Sequence, residues 1–206
     1  MYVKNYMLKK EDVFIADLED SLESALKEMG QNDFLSLPAF SDGVLKGHIM
    51  KETIYRGFIE EDYQNFHEYL QSKKVKDIYD GKIHMIYEDD EIEKASYLLS
   101  KIRIPFLAVI NSNNDFAGIL THRAIFDAFS SVIGLEKGYK IVVDMLNKPG
   151  QLAKFTELLT KENANILNIT IIGHTDDGRQ RNIIRIETED IDDLLKKIAD
   201  VGFRIV

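Results

Sequence analysis

The chain has 206 residues, of which 45% are hydrophobic and 30% charged, and its formal net charge at pH 7 is -9. This acidic balance argues against a nucleic-acid partner, and the absence of cysteine excludes disulfides, thiolate catalysis and cysteine-ligated zinc. The longest apolar run, residues 104–110, is far short of the roughly 20 residues that cross a bilayer, and the N-terminus lacks the apolar core of a signal peptide. We therefore expect a cytoplasmic chain without a membrane partner.

The first 60 residues predict a short lead-in, a helix, a pair of strands and a second helix. Residues 3–7 would enter the first unit, and residues 12–16 are apolar enough for a brief buried strand. An apolar stripe at helical spacing predicts a core-facing helix that ends at Gly30. Strands are predicted over 35–40 and 44–50, and a helix from Glu52 to about Phe58.

Aromatic residues then predict a connecting helix. Tyr63, Phe66, Tyr69 and Leu70 are interpreted as packing this helix onto its own domain, with a partner surface as the alternative.

The same plan recurs at an offset close to seventy residues. Asp20 with Glu23 and Asp90 with Glu93 each form a capping-box pattern, which marks a helix start in both copies. The second copy predicts a helix over 92–101, strands over 104–110 and 116–121, and a helix from Arg123 to about Val132. Neither copy has enough apolar surface for its own core, so we expect two units stacked into one domain.

A tandem unit of helix, proline-containing strand, turn, strand, Gly-apolar-apolar-Thr and helix resembles a pair of cystathionine-β-synthase (CBS) domains. The resemblance covers residues 1–132, with units at about 1–62 and 72–132. Residues 133–138 carry two glycines among charged residues and are the best linker candidate.

Residues 139–206 predict the ferredoxin-like order βαββαβ, with an Asp-Gly hairpin turn at 176–178. Lys148-Pro-Gly-Gln-Leu152, followed by Asn165-Ile166, resembles the amino-acid-binding ACT domain. The predicted fold class is therefore α/β (α+β), a tandem CBS pair plus an ACT domain. The whole architecture resembles the acetoin-utilisation CBS-ACT regulatory proteins of bacteria.

The sequence contains no recognisable catalytic constellation. Its five histidines are not spaced as a metal-binding pair, and no serine lies in a nucleophile elbow. We expect neither an enzyme nor a metal site.

The CBS resemblance implies a cleft between the units that binds an adenine nucleotide (AMP, ADP, ATP or cyclic di-AMP). In the second unit, Gly118-Ile-Leu-Thr121 supplies a hydroxyl and a helix start, where free amides favour a phosphate. The alternative is that Thr121 only caps its helix and the basic residues are solvated. The predicted nucleotide-binding residues of this unit are Arg103, Ile104, Pro105, Thr121, His122 and Arg123.

In the first unit, Leu37 and Pro38 would line the cleft and Lys51 is the only obvious phosphate partner, because Met50 replaces the hydroxyl. The family's acidic residue for the ribose is replaced by Thr53 and by Ala124. This leaves open a phosphate-rich ligand or no ligand.

In ACT domains the effector usually lies at a dimer interface, against the loop after the first strand. The corresponding residues are Asn147, Pro149, Gly150, Gln151, Leu152 and Asn165. We expect homodimerisation through the CBS and ACT domains, and a small amino acid is a possible ligand. The resulting hypothesis is a regulatory nucleotide sensor that acts on its ACT domain and on a regulated enzyme. The alternative is an interaction scaffold whose CBS clefts are vestigial, with amino-acid input at the ACT dimer or with none.

Overall fold

Residues 1–135 and 137–206 are described by the computed structural model, which divides into the units Met1–Ala128 and Phe129–Val206. The elements of the first unit, with α6 continuing past its end, are β1 (Leu8–Lys9), β2 (Ala16–Asp17), α1 (Leu22–Gln31), β3 (Ser36–Ser41), β4 (Val44–Met50), α2 (Lys51–Glu60), α3 (Phe66–Ser72), α4 (Val75–Ile78), β5 (Met85–Tyr87), α5 (Ile92–Lys101), β6 (Phe106–Ile110), β7 (Phe116–Thr121) and α6 (His122–Ile133).

The internal repeat predicted from the sequence is confirmed. In each copy one strand pairs in parallel with the next, which pairs in antiparallel with a third: β2, β3 and β4 in the first copy and β5, β6 and β7 in the second. Helices α1 and α5 bury residues at the same three positions of the helix. These are Leu22, Ala25 and Met29 in α1, and Ile92, Ala95 and Leu99 in α5.

The two copies exchange their lead-in segments. Val3 donates its N–H to the carbonyl of Asp90, and Val75, 72 residues later, donates to the carbonyl of Asp20, both at 2.9 Å. Strand β1 likewise pairs with β7 of the second copy. The prediction that residues 3–7 enter the first copy of the repeat is therefore wrong. Each lead-in completes the other copy, because its backbone groups find their partners there.

Three local predictions also need correction. Asp20 and Asp90 do not cap their helices: their carboxylates accept the N–H groups of Asp17 (2.9 Å) and Tyr87 (3.0 Å), which closes the turn before each helix. Of the predicted strand 12–16, Asp12 ends a 3-10 turn and only Ala16 belongs to β2. Helix α1 continues through Gly30 to Gln31.

The connecting helix is α3, and its aromatic residues pack as predicted. Tyr69 and Leu70 are buried in the core, and Tyr63 and Phe66 are partly buried against it. The aromatic residues therefore attach α3 to its own unit.

The second unit has the predicted ferredoxin-like order. Its elements after α6 are β8 (Tyr139–Leu146), α7 (Gln151–Lys161), β9 (Asn165–His174), β10 (Arg179–Glu187), α8 (Ile191–Asp200) and β11 (Arg204–Ile205). The strands form an antiparallel sheet in the order β11-β8-β10-β9. Alternate residues of β8 and β10 face the core, where Phe155 and Leu159 of α7 and Leu194 and Ile198 of α8 cover them. A turn with Gly178 at φ 74° joins β9 to β10, as the Asp-Gly pair predicts.

Candidate functional site

A recess of about 330 Å³ lies at the start of α6 in the first unit. One side comes from the end of β7 and the first turns of α6, and the other from the exchanged lead-in segment. The lining residues are Tyr6, Met7, Leu8, Thr121, Arg123, Ala124 and Asp127.

The α6 side of the recess is polar. The hydroxyl oxygen of Thr121 accepts the N–H of Ala124 at 3.2 Å, which caps the helix and leaves the hydroxyl proton free to donate. Arg123 is 91% exposed, and its Nε lies 3.8 Å from the carboxylate of Asp127. Such an exposed pair is weak. A guanidinium at a helix N-terminus therefore faces the recess, where an anion is favoured.

The predicted nucleotide-binding residues of the second copy of the repeat do not all meet here. Thr121 and Arg123 line the recess. The ring of His122 instead lies 3.4 Å from the carbonyl oxygen of Pro105. Arg103 is exposed, and Ile104 is buried ahead of β6. The roles of these four residues stay predictions.

Pro105 also differs from its supposed counterpart. Pro38 lies inside β3 opposite His48, whereas Pro105 precedes the first residue of β6. The register position that corresponds to Pro38 is Ala108. The two prolines are therefore not equivalent in the repeat.

The first copy of the repeat offers a different helix start. Leu37 and Pro38 are buried within β3, and Lys51 is half-buried at the first position of α2. Met50 gives α2 no side-chain cap. The hydroxyl of Thr121 and the exposed guanidinium of Arg123 thus have no counterpart at the start of α2.

The sequence reasoning missed four lining residues. Tyr6, Met7 and Leu8 were assigned to the first copy of the repeat, and only the exchange of lead-ins brings them to the recess at α6. Asp127 lies three residues after Ala124, and residues at this spacing share a helix face. The recess therefore contains a carboxylate although Ala124 lacks one. Helical spacing is the signal in the sequence that could have identified Asp127.

Between the two copies, a crevice around His48 is nearly closed. It also contains Gly47, Lys82, His84 and Phe106, and its free volume of about 10 Å³ has room for no more than a water molecule. The imidazole of His48 packs edge-on against Phe106, with ring centroids 6.0 Å apart. Burial lowers the pKa of His48.

The predicted ACT effector residues surround the start of α7. Gly150 has φ 85° at the position before the helix, Gln151 is half-buried, Leu152 is 43% exposed, and Asn165 begins β9. Pro149 is exposed, and Asn147 bonds through Nδ2 to Nε2 of His174 at 2.9 Å. A recess of about 580 Å³ in this unit contains none of the six predicted residues. Their role in effector binding stays a prediction.

Within residues 1–135 and 137–206, no three His, Asp or Glu side chains are grouped so that they could hold a metal ion. No helix in this part of the chain is long and apolar enough to cross a membrane.

Comparison with known families identifies both kinds of domain. Residues 75–131 match the CBS domain family and residues 139–203 the ACT domain family. No curated protein matches the chain. The predicted fold class, with CBS and ACT domains present, is confirmed.

Solved structures of CBS-domain proteins resemble the chain over about 62–64% of its length. A CBS domain-containing protein of unknown function from Bacillus anthracis str. Ames Ancestor is 26% identical, with a TM-score of 0.56 and 94% of its own chain covered. CBSX2 in complex with AMP is 19% identical (TM-score 0.53, 97% covered). The CBS domain of the bacterial CNNM/CorC family Mg2+ transporter in complex with ATP is 16% identical (TM-score 0.53, 85% covered).

Proposed function

We propose that this chain is a regulatory protein that senses an adenine nucleotide in the recess at the start of α6. The observation that carries the proposal is the joint presence of Thr121 and Arg123 at a helix N-terminus that opens into this recess. A volume of about 330 Å³ lies at the lower end of the roughly 300–1,000 Å³ typical of small-molecule sites.

The chemistry of the recess fits the parts of a nucleotide. Arg123, the hydroxyl of Thr121 and the helix dipole favour phosphate, while Met7 and Leu8 offer apolar surface to a base. Asp127 offers oxygen acceptors to ribose hydroxyls. AMP and ATP, which are bound in two structures of the same fold, are the leading ligands among AMP, ADP, ATP and cyclic di-AMP.

The experiment measures thermal unfolding of the full chain with each of these four ligands and with GMP. A ligand that binds only the folded state raises the melting temperature by mass action, so we expect an upward shift of several degrees at saturating ligand. Thr121→Val and Arg123→Gln should reduce it. Arg56→Gln is the matched control, because Arg56 is an exposed arginine on α2 that, like Arg123, lies near a carboxylate four residues away on its own helix. No shift with any adenine nucleotide contradicts the proposal.

The regulatory output is proposed to pass through a homodimer to the ACT domain and to a regulated enzyme, in the manner of the acetoin-utilisation proteins. Apolar side chains support self-association: Tyr55 of α2 is 48% exposed and Phe126, its counterpart in α6, is 69% exposed. Ile171 and Ile172 on the edge strand β9 are each 54% exposed. Sedimentation at several concentrations tests this, and a monomer throughout contradicts it.

The second candidate function is an interaction scaffold with vestigial clefts. It is favoured by the hydroxyl of Thr121, which already caps α6, and by Met50 at the matching position of α2. A nucleotide retained through purification, identified by mass spectrometry, decides against the scaffold.

A further inference from the structure

The recess in the second unit lies where the turn between β9 and β10 approaches β11. Its volume is about 580 Å³, within the range of small-molecule sites. The residues that line it are Ile172, Gly173, His174, Thr175, Asp176, Asp177, Arg181 and Arg204.

Arg181 is held in place by a buried carboxylate. Its Nε and Nη2 donate to the two oxygens of Asp144 at 2.8 and 2.9 Å, and the side chain of Asp144 is 0% exposed. A bidentate bond of this kind fixes the plane of the guanidinium. Because Nη1 takes no part in these bonds, one edge of the group remains for a ligand.

Arg204 is the second guanidinium of the recess. Its Nε lies 3.9 Å from the same carboxylate of Asp144, and its Nη1 donates to Asp177 at 3.3 Å. The two arginines therefore converge on one buried anion, which sets their relative positions before any ligand arrives. Asp177 is itself occupied, since Thr175 donates to one of its oxygens and the Nε of Arg179 lies 3.3 Å from the other.

We propose that this recess binds a small monocarboxylate, whose oxygens face Arg181 and Arg204 and whose apolar body lies against Ile172. Planar carboxylates match the donor fork of arginine. Asp176 and Asp177 in the lining oppose ligands of higher negative charge. An α-amino acid is expected to bind more weakly than a monocarboxylate. The oxygens of Asp177 already have partners, so in the lining of this recess only the carboxylate of Asp176 remains for an ammonium group.

The test titrates the full chain with butyrate and follows the backbone amides by NMR. Saturable shifts are expected for Gly173 and Arg181, and butyramide, the uncharged analogue, should produce none. Arg204→Gln should weaken butyrate binding about tenfold or more, because a bond to a charged group is lost. Arg179→Gln is the matched control: it removes an arginine that contacts Asp177 but does not line the recess.

A second variant separates binding from folding. Arg181→Gln alone leaves a buried carboxylate without its partner, which is destabilising. The double variant Asp144→Asn with Arg181→Gln removes both charges and should fold while binding butyrate at least tenfold more weakly. The proposal is overturned if butyrate does not saturate, if 2-aminobutyrate or inorganic phosphate binds more tightly, or if Arg179→Gln weakens binding as much as Arg204→Gln.

Discussion

Replacing Gly118 by Ala should separate the lead-in segment from the second copy of the repeat. A Cβ on Gly118 would lie 2.1 Å from the carbonyl oxygen of Leu8 and 3.1 Å from the Cα of Lys9. Real Cβ atoms do not approach backbone so closely, and a backbone cannot rotate away as a side chain does. Strand β1 must therefore leave β7, and Tyr6, Met7 and Leu8 would move from the recess with it.

The expected cost has two parts. Gly118 has φ 155°, where an alanine is strained by about 1–3 kcal/mol. The lost pairing of Leu8 and Lys9 with β7 removes hydrogen bonds worth about 1 kcal/mol each. We expect Gly118→Ala to lower the free energy of unfolding by about 2–5 kcal/mol, a large fraction of the roughly 5–15 kcal/mol of a typical domain.

Urea unfolding measures this loss, and hydrogen exchange at the amides of residues 3–9 reports whether the segment has detached. Gly30→Ala is the control, since nothing lies within 4 Å of its added Cβ and it sits in a helix, where alanine gains about 0.5–1 kcal/mol. If Gly118→Ala unfolds like the parent and still protects residues 3–9, the exchange of lead-ins is refuted.

Three further changes test other parts of the argument. Thr121→Val should cost about 1 kcal/mol of stability by removing the cap of α6, whereas Met50→Thr should add a comparable cap to α2; urea unfolding of both checks the asymmetry, and equal small effects would contradict it. Burial lowers the pKa of His48 below the roughly 6.5 of an unfolded histidine, so its contribution to stability is full above about pH 6.5 and is lost as the pH falls toward the folded value. His48→Gln should flatten the acid side of the stability profile, and an unchanged slope would disprove this assignment. Gly47→Ala should repeat the defect of Gly118→Ala, because its Cβ would meet the carbonyl oxygen of Asp80 at 2.0 Å; a stable variant would show that the copies are not equivalent.

The sequence predicted the candidate site in part. Thr121 and Arg123 were found because a helix start after a Gly-apolar-apolar-Thr segment is a local pattern. Asp127 could have been predicted from helical spacing, but the sequence prediction did not include it. Tyr6 could not be found from local sequence, because it lies more than one hundred positions before the α6 residues that line the same recess.

The amino-acid sequence by itself determined the duplicated unit, the buried faces of α1 and α5 and the βαββαβ order of the second unit, because each follows from the spacing of apolar residues along a few turns or strands. Only the tertiary structure decided which copy each lead-in completes. Val3 and Val75 carry nearly the same local pattern, and the carbonyls they bond to, of Asp90 and Asp20, are equivalent in the repeat. Local sequence cannot distinguish equivalent partners; the choice is made by the path of the whole chain through both copies, and that path also brings the lead-in to the recess.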